Sequence, residues 1–258
     1  MRLGDLGWEL LTPSPLEPHL QMALDEVLLE EVAAGLRPPT LRFWTFSAPA
    51  LVLGSNQVLA NEVDAGAAAE LGYVVARRMS GGGTMIVAPG SVVTYSLYAP
   101  ELLVRGMSFI ESYAFLDAWA VAGLRGIGVP ASYRPINDIV SPEGKIAGAA
   151  QARRRRTVLH HTTMAYDLDP AIVPRLIRIG RPAVVARGVR SAEKVVTPIR
   201  RWTDLSPERV TRSLIATFGA EAPLTPGRVG PGTLDRARRL VETRYGRPDW
   251  IDRLSREP

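Results

Sequence analysis

The spacing of apolar and polar residues along the chain predicts most of its helices. Apolar residues recur at helical spacing from Leu20 to Val32 with acidic residues between them, which predicts an amphipathic helix ended by Gly35. Ser108 precedes a long apolar segment and is expected to cap a buried helix over residues 109–124. Further helices are predicted over residues 63–71, 170–179, 206–218 and 233–245.

Short runs of β-branched and aromatic residues, separated by turn-forming residues, predict the strands. These runs cover residues 40–44, 50–53, 73–76, 92–98 and 136–140, and the first two are expected to lie in one sheet. Residues 145–151 and 158–168 flank four arginines at 153–156, which predicts a hairpin with the arginines at its tip. Because strands come first and helices are interspersed and follow, we expect an α+β fold with a mixed β-sheet flanked by helices.

The end of the chain differs in composition from the rest. Residues 222–232 are rich in proline and glycine, which is typical of a linker. We therefore expect one main domain over residues 1–220, and a linker with a C-terminal helix over residues 221–258 packed on or beside it. No apolar run approaches the length of a membrane span and the N-terminus lacks a signal-peptide core, so a cytoplasmic location is expected.

Residues 77–84 place two arginines, a serine and three consecutive glycines after a predicted strand. Glycine supplies no side chain for packing and loses the most entropy on folding, so three in a row indicate a sharp turn or a close approach to another group. Free backbone N–H groups beside Arg77 and Arg78 would suit an anionic ligand. The spacing matches neither a dinucleotide-binding fingerprint nor a P-loop. A hairpin corner without a ligand is the alternative.

Composition narrows the possible chemistry. The chain has no cysteine, which excludes disulfides, thiolate metal sites and a cysteine nucleophile, and its 3 histidines argue against a zinc site. Of its 31 basic residues the lysines are Lys145 and Lys194, so each is a candidate for a place that needs a compact ammonium, with chance as the alternative. The formal charge of +5 is compatible with nucleic acid, a membrane surface or an acidic protein as partner.

Several motifs in order resemble the lipoate–protein ligases, within the superfamily that also contains octanoyltransferases and biotin–protein ligases. The similar pieces are Arg42-Phe43-Trp44, Leu51-Val52-Leu53-Gly54, the stretch from Arg77 to Thr84, Asn137-Asp138-Ile139, the stretch from Gly144 to Gln151, and His160-His161-Thr162-Thr163. Fainter likeness continues through residues 187–191 and the helix after Ser206, and together the pieces span roughly residues 20–220. The ordered set is far more specific than any one piece.

The resemblance implies a fold related to class II aminoacyl-tRNA synthetases and a two-step reaction. Lipoate and ATP would give lipoyl-AMP, and a lysine of an acceptor lipoyl domain would then take the acyl group. The first step brings two anions together, so it needs fixed positive charge and pre-aligned donors. Lys145 would be the catalytic residue, reaching the acyl carboxylate and the α-phosphate.

The resemblance also implies roles for the other site residues. ATP would be bound by Arg78, Gly83, Thr84, Met85, Ile86, Asn137, Asp138 and Lys145, with Asp138 also a ligand of Mg²⁺. The acyl substrate would contact Arg77, Ser80, Gly81, Gly82, Gly148 and His161. Strand alternation puts His160 and His161 on opposite faces, so His160 is expected to be structural. For Asp138, an ordinary turn-forming role is the alternative.

The sequence departs from the family pattern in three places. Residues 86–90 stand where these ligases have an aromatic-His-Asp sequence, and Thr162 replaces a glycine, which leaves lipoate or octanoate open as acyl substrate. The chain also ends too early for the accessory domain of the two-domain ligases, so a separate small subunit or independent action is expected. An acidic acceptor or helper protein is expected to dock on arginines 153–156, with a solvated hairpin tip as the alternative. Neither nucleic acid nor a membrane is an expected partner.

Three competing functions fit the residues less well. Octanoyl transfer through a thioester needs a cysteine, and biotin ligation predicts a Gly-Arg-Gly-Arg-x-x-Arg loop, which the chain lacks. A nucleic-acid-binding module would interleave aromatic residues with its arginines, and residues 153–156 have none beside them. A serine ester would need an adjacent base, and no triad pattern brings a serine to His160 or His161. We therefore expect activation through an adenylate and no acyl-enzyme.

Overall fold

The computed structural model of the chain describes residues 1–254. Its strands are β1 (Trp8–Leu11), β2 (Pro15–Leu16), β3 (Thr40–Phe46), β4 (Ala50–Leu53), β5 (Val74–Arg77), β6 (Met85–Val87), β7 (Val92–Pro100), β8 (Ser132–Arg134), β9 (Asp138–Ser141), β10 (Gly144–Arg154), β11 (Thr157–Ala165) and β12 (Leu224–Pro226). Its α-helices are α1 (Pro18–Ala33), α2 (Leu59–Glu62), α3 (Ala65–Glu70), α4 (Phe109–Gly126), α5 (Val173–Leu176), α6 (Pro207–Glu221), α7 (Pro231–Leu240) and α8 (Pro248–Ile251).

Two β-sheets form the frame of the molecule. The large sheet has the order β12-β1-β3-β7-β11-β10-β9-β8, with β2 pairing alongside β3. Its β1 pairs are parallel and the run from β3 through β7, β11, β10 and β9 to β8 is antiparallel, so the sheet is mixed. The small sheet has the order β5-β4-β6. With helices against these sheets, the predicted α+β architecture is confirmed.

The expectation that β3 and β4 share one sheet is wrong. β4 pairs in parallel with β5 and antiparallel with β6, whereas β3 lies between β1 and β7 in the large sheet. Between the two strands the amide of Ser47 donates to Leu16 O at 3.0 Å, and Pro49 O accepts from Val74 N at 3.0 Å. The bend at residues 47–49 therefore takes the chain from its place beside β2 in the large sheet to its place beside β5 in the small sheet. Short apolar runs identify strands, but pairing depends on contacts with distant segments.

Helices cover both faces of the large sheet. The alternate residues Leu41, Phe43, Tyr95 and Leu97 pack under α4 and α6, while Trp44, Tyr98 and Leu159 pack under α1 on the opposite face. The cap predicted for α4 is confirmed: Ser108 Oγ accepts from Glu111 N at 3.2 Å, and the Glu111 carboxylate accepts from Ser108 N at 2.7 Å. This reciprocal arrangement satisfies two donors that a helix start otherwise leaves free. Along residues 1–254, no helix has the length and apolar character needed to cross a bilayer.

The last part of the described chain contributes to the same core. Within the segment expected to be a linker, β12 pairs with β1 at the edge of the large sheet. Thr233 at the start of α7 donates to Glu31 of α1 at 2.6 Å. The predicted helix over residues 170–179 is shorter than expected, because α5 ends at Leu176 and Ile177 turns extended to bridge Val63. The division of the chain into domains stays a prediction.

Candidate active site

A cavity of about 420 Å³ lies between the two sheets. Its wall is formed by the glycine loop (residues 78–84) with β6, by β10 and β11, and by the segment of residues 189–196. This volume lies within the range of pockets that hold small-molecule ligands. Of the residues expected to bind nucleotide or acyl group, the wall contains Arg78, Gly82, Gly83, Thr84, Met85, Ile86, Asn137, Lys145, Gly148 and His161.

Arg78 supports the glycine loop from the inside. Its guanidinium donates to Val52 O at 3.0 Å, to Gly83 O at 2.8 Å and to Gly81 O at 2.5 Å. Burial lowers the pKa of Arg78 to about 10, so the group is still charged at neutral pH. A Cβ on Gly54 would lie 2.1 Å from Gly82 O, so glycine at position 54 lets the loop pack directly on the end of β4. The loop is thereby held in one shape with a positive charge behind it.

Arg77 does not contact the cavity, and its expected role in binding the acyl substrate is wrong. Its side chain is fully buried and donates to Gly54 O at 2.8 Å, Gln57 O at 2.7 Å and Ile251 O at 2.6 Å. Successive side chains on a strand point to opposite faces, so Arg77 at the end of β5 turns away from Arg78. Its guanidinium instead ties the turn after β4 to α8. Gly81 and Ser80 also lie outside the cavity wall, and Ser80 is buried.

The two lysines of the chain meet on one carboxylate. Lys145 Nζ lies 2.8 Å from Asp138 Oδ1, and Lys194 Nζ bonds to Asp138 Oδ2. Burial tends to raise the pKa of Asp138, but the charges of the two lysines outweigh it and hold that pKa below its usual value. Burial lowers the pKa of Lys145, an effect that Asp138 opposes. Two ammonium groups therefore stand side by side at the cavity wall.

The backbone explains why these lysines meet. Lys145 N donates to Val195 O at 2.8 Å and Thr197 N donates to Lys145 O at 2.8 Å, so the residues after Lys194 run beside the start of β10. The β9–β10 register shifts between Lys145 and Ala147, as at a β-bulge. A Cβ on Gly148 would lie 2.6 Å from Lys145 Nζ, so glycine there leaves the space that the lysine side chain occupies. Gly148 therefore contributes to the site by having no side chain where the Lys145 ammonium lies.

The assignment of Asp138 as a magnesium ligand stays a prediction. Both of its carboxylate oxygens already face an ammonium group. Among residues 1–254, no group of three histidine, cysteine, aspartate or glutamate side chains could hold a metal ion. Mg²⁺ requires oxygen ligands in near-octahedral geometry. A magnesium ion at Asp138 would therefore need most of its ligands from ATP phosphates and water, and in this structure Asp138 is the partner of two lysines.

Four polar residues at the cavity were not among the predicted site residues: Thr163, Arg190, Ser191 and Lys194. Ser191 Oγ accepts from Thr84 N at 2.9 Å and thereby connects the end of the glycine loop to the segment that carries Lys194. The rarity of lysine in the chain was a signal that could have identified Lys194. Arg190 and Ser191 lie in the stretch of fainter family likeness over residues 187–191, from which no site role was inferred for them.

The two adjacent histidines lie on opposite faces of β11, and this predicted split is confirmed. His161 is part of the cavity wall, whereas His160 is fully buried and its Nε2 lies 2.7 Å from Asp117 Oδ1. Asp117 also accepts from Thr162 Oγ1 at 2.8 Å. The structural role expected for His160 agrees with this burial. Contact between His161 and a substrate stays a prediction.

His161 connects a serine to a carboxylate. Its Nε2 lies 2.6 Å from Ser80 Oγ and its Nδ1 lies 2.9 Å from Asp25 Oδ2. Asp25 lies on α1, His161 on β11 and Ser80 in the glycine loop, so three distant segments form one hydrogen-bonded chain. The expectation that no serine is paired with a histidine base is therefore wrong.

Acid should remove the stabilisation that Asp25 supplies. Burial tends to raise the pKa of Asp25, but hydrogen bonds and charges from His161 and Arg42 outweigh burial and hold it below the usual 3.8. Ionised Asp25 stabilises the fold fully at pH values above its unfolded-state pKa. This stabilisation is lost as the pH falls through its lower folded-state pKa. The difference in unfolding free energy between wild type and Asp25→Asn, measured by urea unfolding, should shrink as pH falls below 3.8. Asp235→Asn, at an exposed position, is the control, and its difference in unfolding free energy from wild type should vary much less with pH. If that difference varied with pH as much as for Asp25→Asn, the prediction would be contradicted.

The fold and site bring a glycine loop and a pair of lysines to one cavity, and comparison with known proteins places the chain in a family of enzymes. Residues 17–219 match the lipoyl protein ligase A/B catalytic domain. Because this match covers most of the chain, the protein belongs to that family, whose members include ligases and octanoyltransferases. The resemblance inferred from the sequence motifs is confirmed.

The similar proteins carry names from both activities. Octanoyltransferase LipM of Symbiobacterium thermophilum is 29% identical over 279 residues, covering 95% of this chain and 98% of the relative. A protein of Aeropyrum pernix, provisionally named lipoate-protein ligase A, is 30% identical over 259 residues, covering 93% of this chain and 92% of the relative. The two names differ in reaction type, so they define the family but not the reaction.

Solved structures agree on the fold. The bi-partite lipoate protein ligase of Thermoplasma acidophilum, solved in a study with its E2 lipoyl domain, superimposes with a TM-score of 0.81 at 23% identity, covering 98% of both chains. A lipoate-protein ligase A bound with ATP gives a TM-score of 0.79 at 24% identity, covering 96% of this chain and 98% of the other. The architecture of this chain is therefore that of lipoate–protein ligases.

Proposed function

We propose that this enzyme is an ATP-dependent lipoate–protein ligase, which activates lipoate or octanoate as an acyl-adenylate and transfers the acyl group to a lysine of an acceptor lipoyl domain. The observation that carries the proposal is the convergence of Lys145 and Lys194 on Asp138, at the wall of a cavity that the glycine loop also lines. Carboxylate attack on an α-phosphate concentrates negative charge, which fixed ammonium groups stabilise in a site that excludes water.

Each part of the cavity suits one part of this reaction. Lys145 would bridge the acyl carboxylate and the α-phosphate, with Lys194 supplying a second positive charge from the other side of Asp138. In residues 1–254 the amides of Gly81, Gly82 and Gly83 donate no hydrogen bond within the protein, so those of Gly82 and Gly83, at the cavity wall, could receive phosphate oxygens. Apolar side chains of the cavity wall, including Val173, Ile177 and Ile179, could receive the acyl chain.

The similar structure solved with bound ATP supports nucleotide use by this fold. The absence of cysteine supports an adenylate over a cysteinyl thioester, since a thioester intermediate requires a thiolate. Octanoyl transfer is the second candidate, because a relative covering 95% of this chain is named as an octanoyltransferase. For this chain, that reaction would need another nucleophile.

An exchange assay tests the proposed function. Incubation with ATP, magnesium and labelled pyrophosphate should move label into ATP when lipoate or octanoate is present, because adenylate formation is reversible. Biotin, and omission of any acid, should give background exchange. If neither lipoate nor octanoate promotes exchange by a protein shown to be folded, the ligase proposal fails.

We also propose an acidic protein partner, which is either the acceptor domain or a separate small accessory subunit. Of the arginines at 153–156, Arg155 and Arg156 form the two-residue tip of the predicted β10–β11 hairpin, with φ values of 51° and 61°, while Arg153 and Arg154 pair with β11 at the end of β10. Arg155 is 71% exposed in its side chain and pairs with Glu30 at 3.3 Å. The similar archaeal ligase that was studied with its E2 lipoyl domain supports a lipoyl domain as the acceptor.

Charge reversal at the hairpin tip should slow transfer to the acceptor. Arg154→Glu with Arg155→Glu should lower the association rate at low salt, and added salt should reduce the difference from wild type. The rate is measured with preformed acyl-adenylate and varied acceptor concentration. Arg212→Glu, at an exposed position on α6, serves as the control for a change of net charge. If the double variant associates with the acceptor at the wild-type rate at low salt, the hairpin tip has no docking role and is a solvated surface.

A further inference from the structure

The Ser80–His161–Asp25 chain has the connectivity of a nucleophile, a general base and an orienting carboxylate. Ser80 Oγ lies 2.6 Å from His161 Nε2, and His161 Nδ1 lies 2.9 Å from Asp25 Oδ2. We propose that Ser80 is a nucleophile that takes an acyl group from a thioester in ester linkage, with His161 as its base and Asp25 as the positioning residue. This gives the enzyme a second, ATP-independent route to acyl transfer without a cysteine.

The hydrogen bonds around Asp25 settle the tautomer of His161. Asp25 accepts from Arg42 Nη1 at 3.1 Å and from Tyr98 OH at 2.5 Å, and its lowered pKa keeps it ionised and able only to accept. The His161 Nδ1 that faces it must therefore carry hydrogen, which leaves Nε2 with a lone pair directed at Ser80 Oγ. Burial lowers the pKa of His161, so the ring is neutral at neutral pH. A neutral ring with this tautomer can take the serine proton.

Positive charge and free amides stand beside the nucleophile. Arg78 Nε donates to Ser80 Oγ at 3.1 Å, which favours the alkoxide as the proton leaves. The unpaired amides of Gly81 and Gly82 follow Ser80 directly, where they could donate to an oxyanion. Ser80 itself is 1% exposed. A Cβ built on Gly81 would meet no atom within 4 Å, so open space adjoins the Gly81 backbone, and an acyl carbonyl would have to reach the buried Ser80 hydroxyl from that side.

The proposed reaction balances in two steps. Ser80 Oγ attacks the thioester carbonyl while His161 Nε2 accepts the hydroxyl proton, the C–S bond breaks, and the leaving thiolate takes that proton. The acyl group is then held on Ser80 as an ester. The amine of the acceptor lysine attacks this ester, the C–O bond breaks, and Ser80 regains a proton as the amide forms. Neither step requires ATP, an oxidant or a metal ion.

Intact-mass spectrometry tests the proposal without ATP. The full chain is incubated with octanoyl-pantetheine, and a mass increase of one octanoyl group is expected, with peptide mapping placing it on Ser80. Ser80→Ala and His161→Gln should form no adduct. Ser55→Ala, at the neighbouring turn whose backbone bonds to Ser80 O at 2.8 Å, should form the adduct as wild type does. Circular dichroism confirms that each variant is folded.

Two further variants keep the proposal testable if Ser80→Ala does not fold. Ser80→Cys should form a thioester that neutral hydroxylamine cleaves much faster than the wild-type ester. Asp25→Asn should slow acylation and move the acid limb of its pH profile to lower pH, since loss of the carboxylate charge makes the imidazolium less favourable. The other charged or titratable groups around the pair are Arg42 from β3, Arg78 from the glycine loop, Tyr98 from β7, His160 from β11 and Tyr245 from the turn that follows α7. No adduct on the folded wild type, or an adduct elsewhere, would overturn the proposal.

Discussion

Lys145→Ala should lower the rate of acyl-adenylate formation by about 10²–10³-fold, the usual cost of deleting one group that stabilises charge in a transition state. The ammonium of Lys145 lies 2.8 Å from Asp138 and fills the space above Gly148. Without it, Asp138 keeps Lys194 as its partner, so the fold should survive. Pyrophosphate exchange into ATP, with thermal unfolding as the check on folding, measures the effect.

Lys145→Arg should be almost as severe. A planar guanidinium is wider than an ammonium and spreads its charge over a fork, so it would not reproduce the compact charge that Lys145 places beside Asp138. Lys194→Ala should have a smaller effect, because the Lys194 side chain is 39% exposed against 27% for Lys145. Arg212→Ala removes an exposed positive charge from α6 and should leave the exchange rate unchanged. A near-normal rate of pyrophosphate exchange by Lys145→Ala would show that Lys145 has no catalytic role in adenylate formation.

Asp25→Ala should destabilise the protein by about 3–5 kcal/mol, because it leaves the buried charge of Arg42 without its carboxylate. Arg42 and Asp25 side chains are 3% and 2% exposed and lie 3.1 Å apart. The loss also leaves the Tyr98 hydroxyl and the Ser96 hydroxyl without their acceptor. Urea unfolding at neutral pH measures the change, provided that the m-value shows the unfolding to be two-state.

A double variant separates the buried charge from the lost packing. Asp25→Ala combined with Arg42→Leu removes both charges, so its loss of stability should be smaller than the sum of the two single losses. Asp235→Ala is the surface control: its partner Arg238 lies 2.9 Å away, but both side chains are more than half exposed. That change should cost about 0–1 kcal/mol. Additive losses in the double variant would show that the pair is not coupled.

Much of the site follows from local sequence. Three consecutive glycines after a strand predict a turn with unused amides, and the structure has that turn at the cavity wall. The period of two along β11 separates His160 from His161 without reference to any other strand. Lys145 was singled out as one of two lysines among many arginines, followed by small residues, and it lies at the cavity wall. These inferences succeed because side-chain direction in a strand and backbone freedom in a glycine loop are set within a few residues.

Other parts of the site depend on which strands pair and in what register. Lys194 reaches Asp138 because residues 195–197 run beside β10, a contact that no pattern near Lys194 predicts. Arg77 and Arg78 have the same chemistry, yet one ties backbone carbonyls together away from the cavity and the other supports the glycine loop. Which of the two faces the cavity was fixed by how β5 pairs with β4.

The sequence by itself determined most of the longer helices and strands, the glycine loop and the lack of a cysteine nucleophile, and it singled out Lys145 as the candidate catalytic residue. The tertiary structure decided that β3 and β4 belong to different sheets, that Asp138 faces two lysines, and that Ser80 and Asp25 meet at His161. Periodicity and turn chemistry act over a few neighbouring residues. Contacts between α1, the glycine loop and β11 exist only once the sheets have paired and the helix has packed over them, because burial of the whole core fixes those positions together.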